Sequence, residues 1–276
     1  MLAWSLEVVS LSAHILAVNA AGVVGRAVRS LAGVASEVVL VDAGSSDGTV
    51  LATEAACREV GAVFRCVSLS PASHPGLFML DEPSTWRREV PGPFTGLHVL
   101  RRFDLARNLG LDQCLGTYVA KLDADDEVLD PSGIAKACRF LDANPGADVV
   151  MCPYDVVGDG GEFPHKSMLY DRLWRSRPEA RFTQAIHEYL PHKRYVGGLP
   201  NWAVTNMGRT RDYRDSRGAG ARVPNRNYKV FLAEYERRGE AGEVMDSRFL
   251  LSTIGEVEVV DPVLAAQLRE AASRKE

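Results

Sequence analysis

The stretch from residue 105 to residue 131 constrains the fold of this chain most, because it combines a helix, a turn and a buried strand. Leucines at helical spacing predict a helix that Gly116 ends, and the apolar run from Tyr118 to Leu122 has the length of a strand. The leucines that mark the apolar face of this helix are Leu105, Leu109 and Leu111. A buried strand of this kind is typical of an open α/β sheet.

A cluster of carboxylates follows this strand at once, in the run LDADDE from Leu122 to Glu127. On an extended chain successive side chains alternate between faces, so Asp123 and Asp125 are expected to point the same way while Ala124 points into the fold. Two aligned carboxylates repel each other unless a cation lies beside them. At the carboxyl end of a strand, they suggest a divalent metal held by oxygen ligands and shared with a phosphate.

The same acids could instead form a solvated loop that caps the next helix, and the residues alone leave both interpretations open. Asp130 before Pro131 fits a helix N-cap followed by proline at the first helical position. That helix is expected to continue to Asn144, where Pro145 and Gly146 stop it. Capping accounts for Asp130 and leaves the other acids of the run unexplained.

The composition fits one large domain or a domain with an appendage, since 276 residues at 46% hydrophobic content can form a full core. No apolar run reaches the roughly 18 residues of a membrane span, and the start lacks the basic segment of a secretory signal. We therefore expect a cytoplasmic protein without a transmembrane segment. The cysteines are odd in number and widely spaced, which favours reduced core thiols over disulfides or zinc ligands. They are Cys57, Cys66, Cys114, Cys138 and Cys152.

Charge is distributed unevenly along the chain. The net charge of the whole chain is −4, yet the segment from Lys166 to Lys229 contains fourteen Lys and Arg against five acids. Such a segment is expected to face an anion. An extended polyanion would use many of these cations, and the candidate partners are DNA, an anionic lipid or an acidic glycan. A solvated basic surface without a partner is the alternative.

The N-terminal part predicts a βαβαβ unit with right-handed crossovers and a parallel sheet. The expected strands are His14–Asn19, Glu37–Asp42 and Ala62–Val67, and the expected helices are Gly22–Leu31 and Thr49–Val60. Asn19 and Asp42 then lie at the carboxyl ends of neighbouring strands, facing the same crevice as the acid cluster. Asp42 ends an apolar strand, where a carboxylate is costly unless it is hydrogen-bonded; a ribose hydroxyl or a base N–H would satisfy it.

The turn after the second strand, Ala43 to Thr49, is rich in glycine and serine. Asp47 or Ser46 is expected to cap the helix that follows it. The sequence contains neither the dinucleotide pattern G-x-G-x-x-G nor the lysine-containing phosphate loop. Their absence disfavours a nicotinamide oxidoreductase and a nucleoside triphosphatase.

Five motifs occur in an order that resembles the family 2 glycosyltransferases of GT-A fold. They are Asn19, VDAGSSDGT (Val41 to Thr49), Ala106-Arg107-Asn108, LDADDE (Leu122 to Glu127) and Ile186-His187-Glu188-Tyr189. The resemblance covers about residues 15–190. It implies a Rossmann-like, mainly parallel central sheet flanked by helices, a nucleotide-sugar donor, usually a UDP-sugar, and a Mn²⁺ or Mg²⁺ ion.

The resemblance also assigns roles to individual residues. Those that it places around the nucleotide and the donor are Asn19, Asp42, Asp47, Arg107 and Asn108. Asp123 and Asp125 correspond to the Asp-x-Asp of the family. Asp125, with His187, is expected to hold the metal against the diphosphate, while Asp123 assists as a ligand or binds the ribose. Glu188 is the expected catalytic base, and a carboxylate from the insertion described next is the alternative.

The remaining segments complete the predicted organisation. Residues 68–104 contain five prolines and are expected to form a long acceptor-side insertion with one strand at Leu77–Leu80. A strand at Ala147–Val157 and an antiparallel hairpin of Met168–Arg175 with Arg181–Ile186 follow. Trp202 is expected in the core or stacked on a sugar. We expect a catalytic domain at 1–205 and a basic linker with a C-terminal helical tail at 206–276. The tail helices are expected at Tyr228–Arg238, Ser247–Ile254 and Pro262–Lys275.

The expected activity is that of an inverting, metal-dependent glycosyltransferase, a hexosyltransferase that uses a base for the acceptor hydroxyl and a cation for the departing diphosphate. The common acceptors of the family are glycan and lipid hydroxyls. The arginines between residues 209 and 226 favour phosphates, so a hydroxymethylpyrimidine base in DNA, as in viral DNA, is the alternative acceptor. A nucleotidyltransferase and an inactive sugar-nucleotide binding module are further alternatives.

Overall fold

The computed structural model describes residues 10–80, 98–157, 168–185, 188–190, 210–213, 234, 237–238 and 262–273. Its regular elements follow in chain order. They are β1 (Leu11–Ala17), α1 (Val24–Arg29), β2 (Glu37–Asp42), α2 (Thr49–Val60), β3 (Val63–Ser68), β4 (Phe78–Leu80), β5 (His98–Leu100), α3 (Phe103–Leu111), β6 (Tyr118–Asp123), β7 (Asp126–Val128), α4 (Pro131–Ala143), β8 (Val149–Val157), β9 (Met168–Arg175), β10 (Thr210–Tyr213) and α5 (Pro262–Ser273).

The chain divides into two compact units. The first comprises Met1–Leu69, Ala106–Arg181 and Leu190–Arg217, and the second comprises Ser70–Leu105, Phe182–Tyr189 and Gly218–Glu276. This division differs from the predicted boundary at residue 205, because the insertion after β3 groups with the C-terminal region. The predicted catalytic domain at 1–205 and tail at 206–276 stay predictions.

The first unit is built on a sheet whose described strands lie in the order β3-β2-β1-β6-β9-β8-β10-β7. β1 pairs in parallel with β2 and β6, and β2 pairs in parallel with β3. β9 is antiparallel to both β6 and β8, whereas β10 runs parallel to β8. An α/β fold with a mainly parallel central sheet flanked by helices, as predicted, is therefore confirmed.

The two faces of β1 have different partners. Every residue of β1 and β2 is buried, as expected for parallel strands that are covered on both sides. Leu11, Ala13 and Ile15 belong to an apolar core shared with residues of α1, α2 and α4. Since side chains alternate along a strand, Ser12 and His14 point to the other face of the sheet, which α3 covers. That second face is the polar one.

A buried carboxylate ties the amino ends of the central strands together. Glu37 accepts hydrogen bonds from the Arg65 side chain at 3.0 Å, from the Gly116 amide at 3.2 Å, and from the Ser12 hydroxyl and the Leu115 amide. Burial would raise the pKa of Glu37, but these hydrogen bonds outweigh it and hold the pKa below its usual range. Glu37 therefore fixes the turn that leads from α3 into β6.

Gly116→Ala is expected to lower the free energy of unfolding by about 1–3 kcal/mol, the usual cost of overpacking a tight site. An added Cβ would lie 2.6 Å from the Ser12 amide nitrogen and 2.8 Å from the Ser10 carbonyl oxygen, and backbone atoms cannot easily move away. Urea denaturation of the two proteins measures the difference. Gly146→Ala is the matched control, because an added Cβ there meets no atom within 4 Å. Equal stabilities of the two variants would contradict the expectation.

Several N-terminal predictions differ from the structure in their bounds. β1 begins at Leu11 and ends at Ala17, so Asn19 lies beyond the strand, in a left-handed conformation with φ 49°. The helix before Gly116 ends at Leu111, and Leu105 is 40% exposed. The apolar face predicted through Leu105 is therefore wrong, because the buried face of α3 carries polar side chains. The helix predicted after Asp130 is confirmed as α4.

β9 does not form the predicted hairpin with Arg181–Ile186. Both edges of β9 are already paired, with β6 on one side and β8 on the other, so no edge is left for another strand. In the second unit, Gln184 has a left-handed backbone with φ 78°, and Thr183 forms an isolated bridge with Tyr189. The short strand β7, which begins within the acid cluster at Asp126 and pairs with β10, was missed.

The second unit contains a two-stranded antiparallel sheet and the C-terminal helix. The strand predicted at Leu77–Leu80 is confirmed as β4, and its partner β5 was missed. The tail helix predicted at Pro262 is confirmed as α5, and residues 234 and 237–238 are helical. The helix predicted at Ser247–Ile254 and Trp202 lie outside the described residues.

An ion cluster stabilises the helical segment around Glu234. This carboxylate is buried and accepts hydrogen bonds from Arg237 at 2.8 Å and from Arg238 at 2.7 Å. Burial would raise the pKa of Glu234, yet the hydrogen bonds and the charges of Arg237 and Arg102 outweigh it and lower the pKa to about 2. The glutamate is thus ionised, and its charge is compensated locally.

Cys57, Cys138 and Cys152 are buried, as predicted for core thiols, whereas Cys66 is exposed and Cys114 is only partly buried, so the prediction is wrong for these two. Burial raises the pKa of Cys138 and of Cys152 to about 12, which keeps both thiols protonated at neutral pH. Among the described helices, none is both long enough and apolar enough to cross a membrane.

Candidate functional site

The polar residues predicted at the strand ends come together at one edge of the central sheet. Asp42 ends β2 and Asp123 ends β6, and both strands flank β1. In register, Asp42 pairs with Ala17 and Asp123 with Leu16, so both carboxylates lie at the level where β1 ends. Asn19 follows two residues later. This edge is the carboxyl end of the parallel strands, where open α/β sheets bind ligands.

Two loops at this edge are joined through Asn19. Its side-chain oxygen accepts a hydrogen bond from the Ser46 backbone amide at 2.8 Å. Its backbone amide donates a hydrogen bond to the Ser45 hydroxyl at 2.9 Å. The left-handed backbone of Asn19 is a conformation that asparagine tolerates better than most residues. The loop after β1 and the loop after β2 are therefore one hydrogen-bonded structure.

Asp47 makes a second link between the same loops. Its carboxylate accepts hydrogen bonds from the Ala21 amide at 3.1 Å, from the Thr49 amide at 2.9 Å and from the Thr49 hydroxyl. Burial would raise the pKa of Asp47, but these hydrogen bonds outweigh it and lower the pKa. Asp47 thus bonds the first amide of α2 and also holds the β1 loop, but the N-cap residue of α2 is Gly48 rather than the predicted Asp47 or Ser46.

Asp42 is buried at the base of the second loop. Its two carboxylate oxygens accept the Ser45 amide at 3.2 and 3.3 Å. This is the kind of turn that aspartate forms with the backbone two or three residues ahead. A carboxylate can accept about four hydrogen bonds, so this contact leaves capacity for a ligand. The predicted contact of Asp42 with a nucleotide stays a prediction.

Asp123 lies between two buried arginines. Arg107 of α3 donates to its Oδ1, and Arg172 of β9 donates to its Oδ2 with both terminal nitrogens at 3.3 Å. The Asp123 side chain is 39% exposed, whereas both guanidinium groups are almost completely buried. Asp123 is therefore held by two buried arginines while part of its side chain stays accessible to a ligand.

Neighbouring positive charges keep the Asp123 carboxyl group ionised. Burial would raise the pKa of Asp123, but the cationic side chains of Arg172, Arg107 and Lys121 outweigh it and hold the pKa far below its usual range. The group is therefore ionised at neutral pH. Its charge is already matched by two guanidinium groups, before any ligand binds.

Asp126 is a second carboxylate in this network, and sequence reasoning missed it. It is fully buried, and its Oδ2 accepts the Asp123 amide at 2.8 Å and lies 3.0 Å from Arg172 Nη1. Arg172 therefore bridges Asp123 and Asp126. The sequence carried no signal that set Asp126 apart, because it stands among the acids between Asp123 and Glu127.

Asp125, the predicted metal ligand, lies in the turn between β6 and β7 and is half-buried, as is Asn108 of α3. No group of three or more His, Cys, Asp or Glu side chains that could hold a metal occurs among the described residues. Mg²⁺ is commonly bound by one or two carboxylates together with substrate phosphates. A cation held by Asp125 and a bound diphosphate therefore fits the residues at this edge.

Glu188, the predicted base, belongs to the second unit and is half-buried. Its neighbour Tyr189 pairs with Thr183 through backbone hydrogen bonds of 3.0 and 3.2 Å. His187, the second predicted metal ligand, lies outside the described residues. The roles predicted for Glu188 and His187 stay predictions.

Comparison with solved structures gives distant likenesses. The chain is similar to S. aureus TarS 1-349 in complex with UDP-GlcNAc, at 16% identity and a TM-score of 0.47, covering 91% of this chain and 73% of that one. It is similar to a mycobacterial protein, at 17% identity and a TM-score of 0.45, covering 76% and 69%. It is also similar to glucosyl-3-phosphoglycerate synthase from Mycobacterium tuberculosis in complex with Mn²⁺, UDP-Glc and phosphoglyceric acid, at 20% identity and a TM-score of 0.33, covering 55% and 45%.

Sequence comparison matches part of the chain to a family model. A search of curated proteins gave no match. Residues 100–198 match the model of glycosyl transferase family 2, and this segment contains Arg107, Asp123, Asp125 and Glu188. Over these residues, the resemblance to the family 2 glycosyltransferases and the prediction that the chain is a transferase are both confirmed.

Proposed function

We propose that the protein transfers a sugar from a nucleotide-sugar donor, a UDP-sugar, to a hydroxyl group of a glycan or lipid, with inversion and with help from Mn²⁺ or Mg²⁺. The observation that carries this proposal is the anchored Asp123 at the carboxyl end of β6, inside the segment that matches the family. Asn19, Asp42 and Asp47 build the neighbouring loops at the same edge. These groups offer the hydrogen-bond acceptors that a ribose and a base require.

The reaction is a single displacement. The acceptor oxygen forms a bond to the anomeric carbon while the bond from that carbon to the diphosphate oxygen breaks. Glu188 takes the proton of the acceptor hydroxyl, and the diphosphate leaves with the electron pair. A divalent cation would stabilise the charge that develops on the diphosphate. Asp125 and His187 would hold it, with Asp123 assisting or binding the ribose.

Asp125→Ala is expected to reduce transfer about 100-fold, because losing a metal ligand removes several kcal/mol of stabilisation from the transition state. The unfolding midpoint should change little, since the side chain is half-exposed. The assay incubates the full chain with UDP-sugars and Mn²⁺ and follows release of UDP and labelling of candidate acceptors. Asp112→Ala is the matched control, since Asp112 is an exposed acid in the turn before β6, at the opposite end of the sheet.

The outcomes separate the parts of the proposal. Unchanged transfer in excess chelator would show that the reaction does not need a metal. Full activity of Asp125→Ala would show that Asp125 is not a metal ligand. Pyrophosphate release from a nucleoside triphosphate would point to a nucleotidyltransferase. Donor binding without turnover would point to an inactive binding module.

The charge excess of residues 166–229 bears on the acceptor. Part of it is used within the protein, because four of the fourteen basic residues are paired with acids. The four are Arg172, Arg175, Arg177 and Arg181. The side chains of the other ten lie outside the described residues. A polyanionic acceptor, including a hydroxymethylpyrimidine in DNA, therefore rests on fewer cations than the sequence count indicates, and a glycan or lipid hydroxyl is the favoured acceptor.

A further inference from the structure

His14 is a buried polar residue in the middle of the central strand. It lies in β1, in register with Val39 of β2 and Lys121 of β6, and its side chain is inaccessible to solvent. A polar ring at such a position costs free energy unless its nitrogens are hydrogen-bonded. The surrounding residues of β1 and β2 are mostly apolar, so packing alone would be served by a hydrophobic side chain.

Both ring nitrogens of His14 contact Arg107. Nε2 lies 3.0 Å from the Arg107 carbonyl oxygen, and Nδ1 lies 3.4 Å from Arg107 Nη1. A guanidinium group can only donate and a carbonyl oxygen can only accept. Nδ1 must therefore accept a hydrogen bond, and Nε2 must carry the proton. The ring is neutral in this arrangement, with the tautomer fixed by one residue at both ends.

Arg107 connects this histidine to the site. Its Nη2 donates to Asp123, and its side chain is almost completely buried. A guanidinium group in such surroundings has few orientations once two of its nitrogens are engaged. His14, Arg107 and Asp123 thus form a continuous hydrogen-bonded series from the centre of the sheet to its ligand-binding edge.

Gly110 allows α3 to pack against the ring. An added Cβ at this position would lie 2.4 Å from His14 Nε2 and 2.4 Å from Val41 Cγ2. The glycine is one helical turn after Arg107, on the same face of α3. Close packing here keeps the Arg107 carbonyl within hydrogen-bond distance of the ring.

We propose that His14 is a positioning residue for donor binding: by holding Arg107 at two points, it fixes the guanidinium that anchors Asp123. The inference rests on the proposed function, since it takes Asp123 as part of the donor site. His14 does not touch the donor. Its loss is expected to weaken donor binding because Asp123 is no longer held in place, while the rate of the bound complex changes less.

Two substitutions separate the two contacts. His14→Asn keeps an acceptor near the position of Nδ1, facing the Arg107 side chain. His14→Gln keeps a donor near the position of Nε2, facing the Arg107 carbonyl. We expect His14→Gln to raise the donor KM about 10- to 100-fold, the effect of losing a hydrogen bond to a charged group, with kcat changed much less. His14→Asn should stay within about threefold of the wild-type KM.

A purely structural histidine gives a different result. In that case the variant with the larger loss of unfolding free energy, measured by urea denaturation, would also have the larger donor KM, whichever contact with Arg107 it keeps. Equal donor KM values for His14→Gln, His14→Asn and wild type would overturn the proposal. So would a fall in kcat at constant KM.

A second measurement does not depend on sugar transfer. Nitrogen-15 spectra of the imidazole side chains report which ring nitrogen carries the proton, and His14→Asn assigns the signal among the six histidines. We expect a neutral His14 with its proton on Nε2. A proton on Nδ1 would refute the inference even if transfer occurs. The expected tautomer in a protein that transfers no sugar would instead refute the proposed function and leave the His14–Arg107 contact standing.

Discussion

Glu188→Gln is expected to reduce sugar transfer by about 10²–10⁴-fold while donor affinity stays nearly unchanged. Glutamine keeps the shape and the hydrogen-bonding capacity of the side chain but cannot take the proton of the acceptor hydroxyl. Affinity for the nucleotide part of the donor is measured by calorimetry with UDP in the presence of Mn²⁺. Transfer is measured by single-turnover kinetics. The combination of normal binding and slow transfer identifies a base.

Glu179→Gln is the matched control for this substitution. Glu179 is an exposed glutamate in the turn after β9, and the same change of charge there should leave transfer at the wild-type rate. If Glu188→Gln transfers sugar as fast as wild type, the base lies elsewhere. The acids of the insertion between residues 68 and 104 would then be tested in the same way.

Arg172→Met is expected to lower the free energy of unfolding by about 3–5 kcal/mol at pH 7, the usual cost of breaking a buried ion pair by removing one partner. Asp126 is fully buried and would lose the guanidinium that lies 3.0 Å from its Oδ2. Chemical denaturation measures the change. Arg177→Met is a suitable control, because Arg177 pairs with Asp148 at 2.8 Å at a more exposed position. A difference below about 1 kcal/mol between the two variants would contradict the expectation.

The same variant should change how stability depends on pH. The pKa of Asp123 is held far below its usual range by Arg172 and Arg107 against the effect of burial. A carboxyl group with a lowered folded pKa contributes stability above its unfolded pKa of about 4, and this contribution is lost as the pH falls. Wild type should therefore lose stability on acidification below about pH 4. Arg172→Met should lose less over the same interval, since its Asp123 pKa is depressed less.

The position of the site could be predicted from the sequence, because it follows from strand ends alone. The run before Asp42 and the run before Asp123 are apolar and of strand length, so their carboxyl ends had to meet at one edge of a parallel sheet. The register of β1 with β2 and β6 confirms this expectation. Local pattern was sufficient because these strands are buried on both faces.

The interior of the site could not be predicted, because its buried face is polar. The resemblance placed Arg107 at the donor site but did not predict its burial, Asp126 was missed, and Leu105 was assigned to the interior and is exposed. The burial of Arg107 and Asp126 depends on pairing with partners distant in the chain, such as Arg172, 46 positions beyond Asp126. Periodicity describes which side chains avoid water and says nothing about which charges compensate each other.

The link between the loops at Asn19 matters for altering donor preference by directed evolution. Ser45 and Ser46 bond to Asn19, and Asp47 bonds to Ala21, so a substitution in one loop removes a partner from the other. Effects of substitutions that share partners are not additive. Libraries that randomise residues 19–21 or residues 45–47 separately would mostly sample disrupted loops. A combinatorial library that varies both segments together is the one that contains compensating pairs of substitutions, and new donor preferences should be sought there.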